Sequence, residues 1–288
     1  MKDRIKHIGI IGLGLIGGSL AKALKARGYY ITGIDKKEST LKIAKKQKVI
    51  NKGYTKLNKQ ALRNVSLIFL ATPLSTIPFY IKEIAKMVKH DVILTDTGST
   101  KQEICKIAKK VLPKNITFIG GHPMAGTEKT GFEFSDKNLF KNCVWLLTSV
   151  NKNTKQEIKI LQKIFKQIGA KALVTTLDVH DKAVCLISHL PLLASIGLCE
   201  TVRNIKDKKL RRLAEAIASS GFRDTTRIAG GNPELNSDLL RSSNANLKIL
   251  LTNYKRELEN TLKEAKAQPN KLLKNLKIVS NWRNKLYN

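Results

Sequence analysis

The chain has 288 residues, 42% of them hydrophobic, enough for a packed core and, at ordinary domain sizes, for two domains. Its formal net charge of +31 raises nucleic acid or an acidic membrane surface as partners. The excess, however, is mostly Lys spread over every segment and interleaved with Asn, without aromatic–basic alternation or a basic arm. A solvated lysine surface, with no nucleic-acid and no membrane partner, is therefore the expectation. No apolar run approaches the roughly 20 residues of a membrane span, and glycines interrupt the first apolar stretch at once, which argues against a signal peptide. Cys105, Cys143, Cys185 and Cys199 form no CxxC pair and have no histidine at ligand spacing. Reduced thiols, a cytoplasmic location and no metal site follow as expectations.

In chain order, residues 5–11 are a short β-branched run, followed by a glycine cluster and an amphipathic helix from about 19 to 27. Residues 30–34 are a second strand ending at Asp35, and 65–71 a third running into Thr72-Pro73. Residues 92–95 and 116–119 are further buried-type strands, with helical stretches at 41–47, 76–88 and 101–111 between the strands. This alternation predicts an α/β fold with a doubly wound parallel sheet, whose ligands sit beyond the carboxyl ends of its strands. A strand at 144–149, a helix at 154–168 and a strand at 171–176 complete the sheet. Thereafter the pattern is helical, over 179–202, 208–219, 236–266 and 270–286, with a glycine-bearing break at 221–233. The chain thus divides into a nucleotide-binding domain, 1–175, and an all-helical domain, 176–288.

Gly12-Leu13-Gly14-Leu15-Ile16-Gly17 is a GxGxxG directly after a strand and before a helix, with Asp35 at the end of the next strand. Gly12 permits the tight turn, Gly14 lets a pyrophosphate reach the backbone, and Gly17 lets helix and strand close up. Leu15 and Ile16, within the fingerprint, are read as cofactor-binding, and the N-terminus of the following helix, with Ser19, faces the phosphates. An NAD or NADP cofactor is expected. Asp35 suits the ribose hydroxyls of NAD, whereas Lys36 and Lys37 suit a 2′-phosphate, so both cofactors stay open.

Two clusters follow later strands: residues 95–101, which hold Ser99, and Gly120-Gly121-His122-Pro123, continuing to Glu128. His122, restricted on both flanks in a loop over the cofactor cleft, is placed as a general base. Ser99 is either a partner at the same site or an ordinary turn residue. The helical half supplies Ser188-His189-Leu190-Pro191, where a proline in mid-helix leaves a carbonyl unpaired and predicts a kink. His189 is either a site residue or a hydrogen-bonded core histidine. Arg223 and Arg227, four apart around Asp224, are read as one structural ion pair and one carboxylate-binding group. His7, His90 and His180 are read as structural or solvated.

Together, GLGLIGGSL, TDTGSTK, GGHPMAGTEKTG, SHLPL and SSGFRDTTRIAGGNPEL resemble the prephenate/arogenate dehydrogenase family, in this order and over most of the chain. The resemblance implies a Rossmann domain joined to a helical dimerisation domain, a homodimer, and an active site between the two domains. It also implies NAD(P)-dependent oxidative decarboxylation of a small-molecule substrate, arogenate or prephenate, in tyrosine biosynthesis. By position, His122 matches the family's catalytic histidine, Ser99 the serine at the same substrate hydroxyl, Arg227 the carboxylate-binding arginine, and His189 a histidine lining the same pocket. The sequence departs from the SHLPH of many prephenate-using members at Leu192, and with GGNPEL it leans to arogenate, while residues 128–131 look like the prephenate-using form. A chain of this length is expected to carry no fused mutase or regulatory domain, so feedback control would act at the active site or the dimer.

Two other readings compete. A 3-hydroxyacid dehydrogenase or imine reductase would want Lys-x-x-x-Asn early in the helical half, but Lys182 is followed four on by Leu186. A non-catalytic basic module binding dinucleotide or nucleic acid would need clustered charge, and here the charge is dispersed.

Overall fold

The apolar runs of the first half pair as one sheet because most of them are apolar on both faces, and only a sheet covered on both sides satisfies such strands. A computed structural model describes residues 5–126, 129–149 and 154–287. Its strands are β1 (His7–Ile11), β2 (Tyr30–Ile34), β3 (Lys52–Tyr54), β4 (Leu67–Leu70), β5 (Val92–Asp96), β6 (Ile116–Pro123), β7 (Val144–Ser149) and β8 (Lys171–Thr175). They lie in the order β3-β2-β1-β4-β5-β6-β7-β8. Between them run α1 (Leu15–Lys25), α2 (Glu38–Lys46), α3 (Ile77–Met87), α4 (Gln102–Val111) and α5 (Lys155–Gln167).

Side chains of β4 show how the sheet serves two cores. Leu67 and Phe69 join Leu20, Leu24, Leu161 and Phe165 on one face, while Ile68 and Leu70 join Ile77, Ile81, Ile84 and Ile104 on the other. Trp145 stacks on Phe165 with centroids 4.1 Å apart, a pairing worth about 0.5–1.5 kcal/mol beyond its buried area.

The sheet departs from the fully parallel expectation at one place: β7 runs antiparallel to β6, while β8 returns parallel to β7. The cause is the connection. A parallel return needs a crossover, usually a helix, as α5 supplies between β7 and β8, and the described part of the β6–β7 link holds only a 3-10 turn, Phe132–Phe134. The short strand β3 was not foreseen either, because three residues carry too little periodicity to read.

Thr176 caps the next helix with its side-chain oxygen. Helix α6 (Leu177–Val184) passes through a π-turn, Cys185–His189, into α7 (Leu190–Arg203). Pro191 explains the wide turn: it lacks an N–H and its ring crowds the carbonyl four residues back, so the helix opens instead of breaking. The whole stretch Leu177–Arg203 is long and apolar enough to cross a membrane by length and composition, in contrast to the sequence expectation, yet it buries His180, Asp181 and His189. Then come α8 (Lys208–Ile217), α9 (Ser220–Thr226), a 3-10 turn Arg227–Gly230 and α10 (Pro233–Ser242).

The chain resolves into two compact units, Met1–Ser243 and Asn244–Asn288. In the second, α11 (Asn244–Ala267) and α12 (Pro269–Tyr287) pair through Glu264, which accepts hydrogen bonds from Asn275 at 2.7 and 3.0 Å and an ion pair from Lys271 at 3.1 Å.

Candidate active site

The order of strands reverses between β1 and β4, and in an open α/β sheet that switch point is where a ligand enters. Gly12, at the end of β1, has φ +88°, and a Cβ on it would lie 2.5 Å from the Ala71 carbonyl oxygen next to Thr72-Pro73. A Cβ on Gly17 would lie 1.8 Å from the Gly12 oxygen, so only glycine lets α1 approach the turn. A Cβ on Gly14, by contrast, would meet nothing within 4 Å. The first helical bond of α1 runs from Gly18 N–H to the Gly14 carbonyl at 2.8 Å, leaving the amides of Leu15, Ile16 and Gly17 without an acceptor in the helix. Open space beside free amides at a helix N-terminus is the setting for a pyrophosphate.

Asp35 ties the tip of β2 to this loop. Its carboxylate accepts from the Leu13 amide at 2.7 Å and from the Lys37 amide at 2.8 Å. Each oxygen keeps a lone pair for a ribose hydroxyl. Lys36 and Lys37, which follow it, are exposed. These residues fit a dinucleotide on geometry alone.

His122 lies on β6 rather than in a loop. Its backbone pairs with Leu146 of β7, and the preceding glycines serve close packing rather than a turn. A Cβ on Gly120 would stand 2.4 Å from Thr148 Oγ1, and one on Gly121 would stand 2.5 Å from the Asp96 carbonyl oxygen. The ring is 7% exposed, and its Nδ1 is 3.1 Å from His180 Nε2. His180 Nδ1 in turn donates to Asp181 Oδ1 at 2.7 Å, and the Asp181 carboxylate also accepts from the Lys101 and Gln102 amides at 2.8 and 2.9 Å. Asp181 therefore caps the N-terminus of α4 from α6, a favourable place for an anion.

Burial, the Lys101 ammonium, His180 and His189 together hold His122 well below the ordinary histidine range. The ring is neutral at neutral pH, the state a proton acceptor needs. Burial alone would raise the Asp181 carboxyl, but hydrogen bonds from His180 and the two amides outweigh it and keep it low. His189 lies 1% exposed, hydrogen-bonded through Nδ1 to Ser243 Oγ at 2.5 Å, and burial brings it down to about 4.

His189 lies close enough to His122 to lower its basicity, and His180, which the sequence reads as structural or solvated, is bonded to His122 directly. Ser99, half-buried, follows β5 in the turn that leads to Lys101. Lys101 itself is wholly buried, paired with Asp96 and donating to the Gly121 carbonyl at 2.9 Å. Arg227 opens the 3-10 turn that docks on α7 through the Ala229 amide and Ser195 Oγ, 3.1 Å apart. It is exposed and makes no ion pair among the described residues, whereas exposed Arg223 pairs with Asp224 at 2.9 Å. No direct contact joins either arginine to His122 among the described residues. Glu128, part of the third motif, lies outside the described residues. Of the two readings for His180, solvated falls: the ring is 1% exposed and bonded to His122.

The sequence matches the family described as "Prephenate dehydrogenase, nucleotide-binding domain" over residues 20–174 and "Prephenate dehydrogenase, dimerization domain" over 176–277. The chain belongs to the prephenate dehydrogenase family. Its architecture follows that family's two domains, a Rossmann-like domain followed by a helical bundle. A curated relative in the family, the prephenate dehydrogenase of Bacillus subtilis (strain 168), is 34% identical over 243 residues, 83% of this chain and 64% of its own length. The chain thus spans less than two thirds of that relative. The crystal structure of Synechocystis arogenate dehydrogenase is similar with TM-score 0.86 and 33% identity, over 97% of this chain and 99% of that one. Prephenate dehydrogenase from A. aeolicus, in complex with hydroxyphenyl propionate and NAD+, is similar with TM-score 0.90 and 25% identity, over 99% and 100%.

Proposed function

We propose that this chain converts arogenate to tyrosine by oxidative decarboxylation, with NAD as acceptor. The observation that carries the reaction type is a buried, neutral His122 at the carboxyl end of the sheet that holds the dinucleotide cradle. A nicotinamide held by the Gly12–Gly17 loop and Asp35 would supply the hydride acceptor for the ring carbon that bears the hydroxyl. His122 accepts the hydroxyl proton as the ring carboxylate departs as CO2, its bonding electrons aromatise the ring, and the same proton returns to the phenolic oxygen. Ser99 orients that hydroxyl, and Arg227 binds a substrate carboxylate, with Arg223 beside it and His189 lining the pocket. Positioning of these groups is the main contribution of the protein.

Arogenate is favoured because Leu192, 4% exposed in α7, offers no hydrogen bond to the keto-acid side chain of prephenate. The likeness to the Synechocystis arogenate dehydrogenase points the same way. NAD is favoured because the Asp35 carboxylate would repel a 2′-phosphate. The second reading, prephenate giving 4-hydroxyphenylpyruvate, draws on the Bacillus subtilis relative. Cytoplasmic residence and a homodimer belong to the same proposal, the latter supported by the family's dimerization domain and by exposed Leu258, Leu262, Leu276 and Trp282. Reduced-cofactor formation, measured for the four pairings of arogenate or prephenate with NAD or NADP, tests it. Arogenate with NAD should give the highest kcat/KM, and a preference for prephenate or NADP would overturn that part.

A further inference from the structure

A carboxylate can only accept a hydrogen bond, so Asp181 requires His180 to donate from Nδ1. A neutral His180 then presents the lone pair of Nε2 to His122, and His122 must donate from its own Nδ1. Only one nitrogen of a neutral imidazole carries a proton, so His122 Nε2 is left as the free base. Asp181 is itself fixed, because the Lys101 and Gln102 amides hold both its oxygens. With His180 neutral, the chain from the N-terminus of α4 through α6 to β6 has one consistent proton arrangement. It places on His122 the Nδ1–H tautomer, the less populated one for a free histidine in water.

We infer that His180 and Asp181 are positioning residues for the proton transfer, setting the tautomer and orientation of His122 so that Nε2 faces the substrate hydroxyl. When Nε2 takes the proton, the Nδ1–H bond to His180 persists, so the relay also steadies the imidazolium that forms. Asp181 stays ionised throughout, and no proton leaves His180. The arrangement follows the general logic in which a carboxylate orients a histidine base without itself accepting the proton. Here a second imidazole stands between the two.

The inference rests on His122 as the base, so the test separates the two. In the full-length protein, 15N-labelled at histidine, the His122 resonances at pH 7.5 should show a protonated Nδ1 and a bare Nε2; the Nε2–H tautomer would overturn the relay. His180→Leu should lower kcat by about a hundredfold with substrate KM within about twofold and unchanged cofactor affinity. His180→Gln, whose amide can accept from His122 and donate to Asp181, should recover at least about tenfold of that loss. If His180→Leu leaves kcat within about threefold of the parent while His122→Asn abolishes turnover, the relay fails and the base stands. If His122→Asn itself retains near-normal turnover, the assignment of the base fails instead.

Discussion

Lys101 and Asp96 form an ion pair with both side chains wholly buried. Asp96 also accepts from the Gly98 amide at 2.9 Å and the Gly121 amide at 3.0 Å, so this pair joins the turn carrying Ser99 to the strand carrying His122. Breaking a buried pair by removing one partner leaves the other charge stranded, a loss of about 3–5 kcal/mol. Lys101→Met should therefore lower the unfolding free energy by about that amount in urea titration, and a change below 1 kcal/mol would show the pair to be dispensable.

The glycine loop makes two opposite predictions. Gly14→Val adds its side chain to open space, so the melting temperature should hold while dinucleotide affinity falls at least about tenfold, the cost of one displaced phosphate contact. Gly17→Ala drives a methyl group into the Gly12 carbonyl and should lower the melting temperature by several degrees before any question of affinity arises. Differential scanning calorimetry and cofactor fluorescence titration separate the two.

Acid should weaken the protein through His189. Its folded value lies at about 4, below the roughly 6.5 of an unfolded histidine. The unfolded chain therefore binds the proton first, and stability is lost as pH falls from about 6.5 to about 4, by about 3 kcal/mol at most. Below that window the group contributes no further slope. Urea denaturation between pH 7.5 and 5 should show a shallower pH dependence in His189→Asn than in the parent; equal slopes would assign the effect elsewhere.

Arg227, exposed and unpaired among the described residues, should act through binding. Arg227→Ala is expected to raise substrate KM at least about tenfold, the scale of one charge-assisted contact, with cofactor KM unchanged. Arg223→Ala should do less, since Asp224 already occupies that guanidinium. Steady-state kinetics of both variants checks the order, and a loss confined to cofactor binding would remove Arg227 from the substrate site.

Much of this was legible in the sequence, and the failures are local. The glycine fingerprint, Asp35 and the strand ends could be placed because each is signalled by neighbours within one βαβ unit. His122 was assigned to a loop because Gly-Gly and Pro normally end strands; here the glycines are consumed by packing against Thr148 and Asp96, and β7 extends the pairing as far as Pro123. The contact between His180 and His122 is not legible in the sequence for a different reason. The two lie 58 residues apart, and no periodicity connects a strand residue to the second turn of a helix. The adjacent Asp181 was the available signal, since an acid beside a histidine just after a capping threonine can orient the ring.

The π-turn at Cys185–His189 has a consequence for how this helix tolerates change. Residues nine apart on an unbroken α-helix point about half a turn away from each other, which would set His180 and His189 on opposite sides. One extra residue absorbed in the wide turn reduces that to about a quarter turn, and both rings come to rest inside the protein. The segment should accept replacement of an exposed side chain such as Ile187 far more readily than the loss of a residue, because a shortened helix would still be a good helix with one histidine swung out of place.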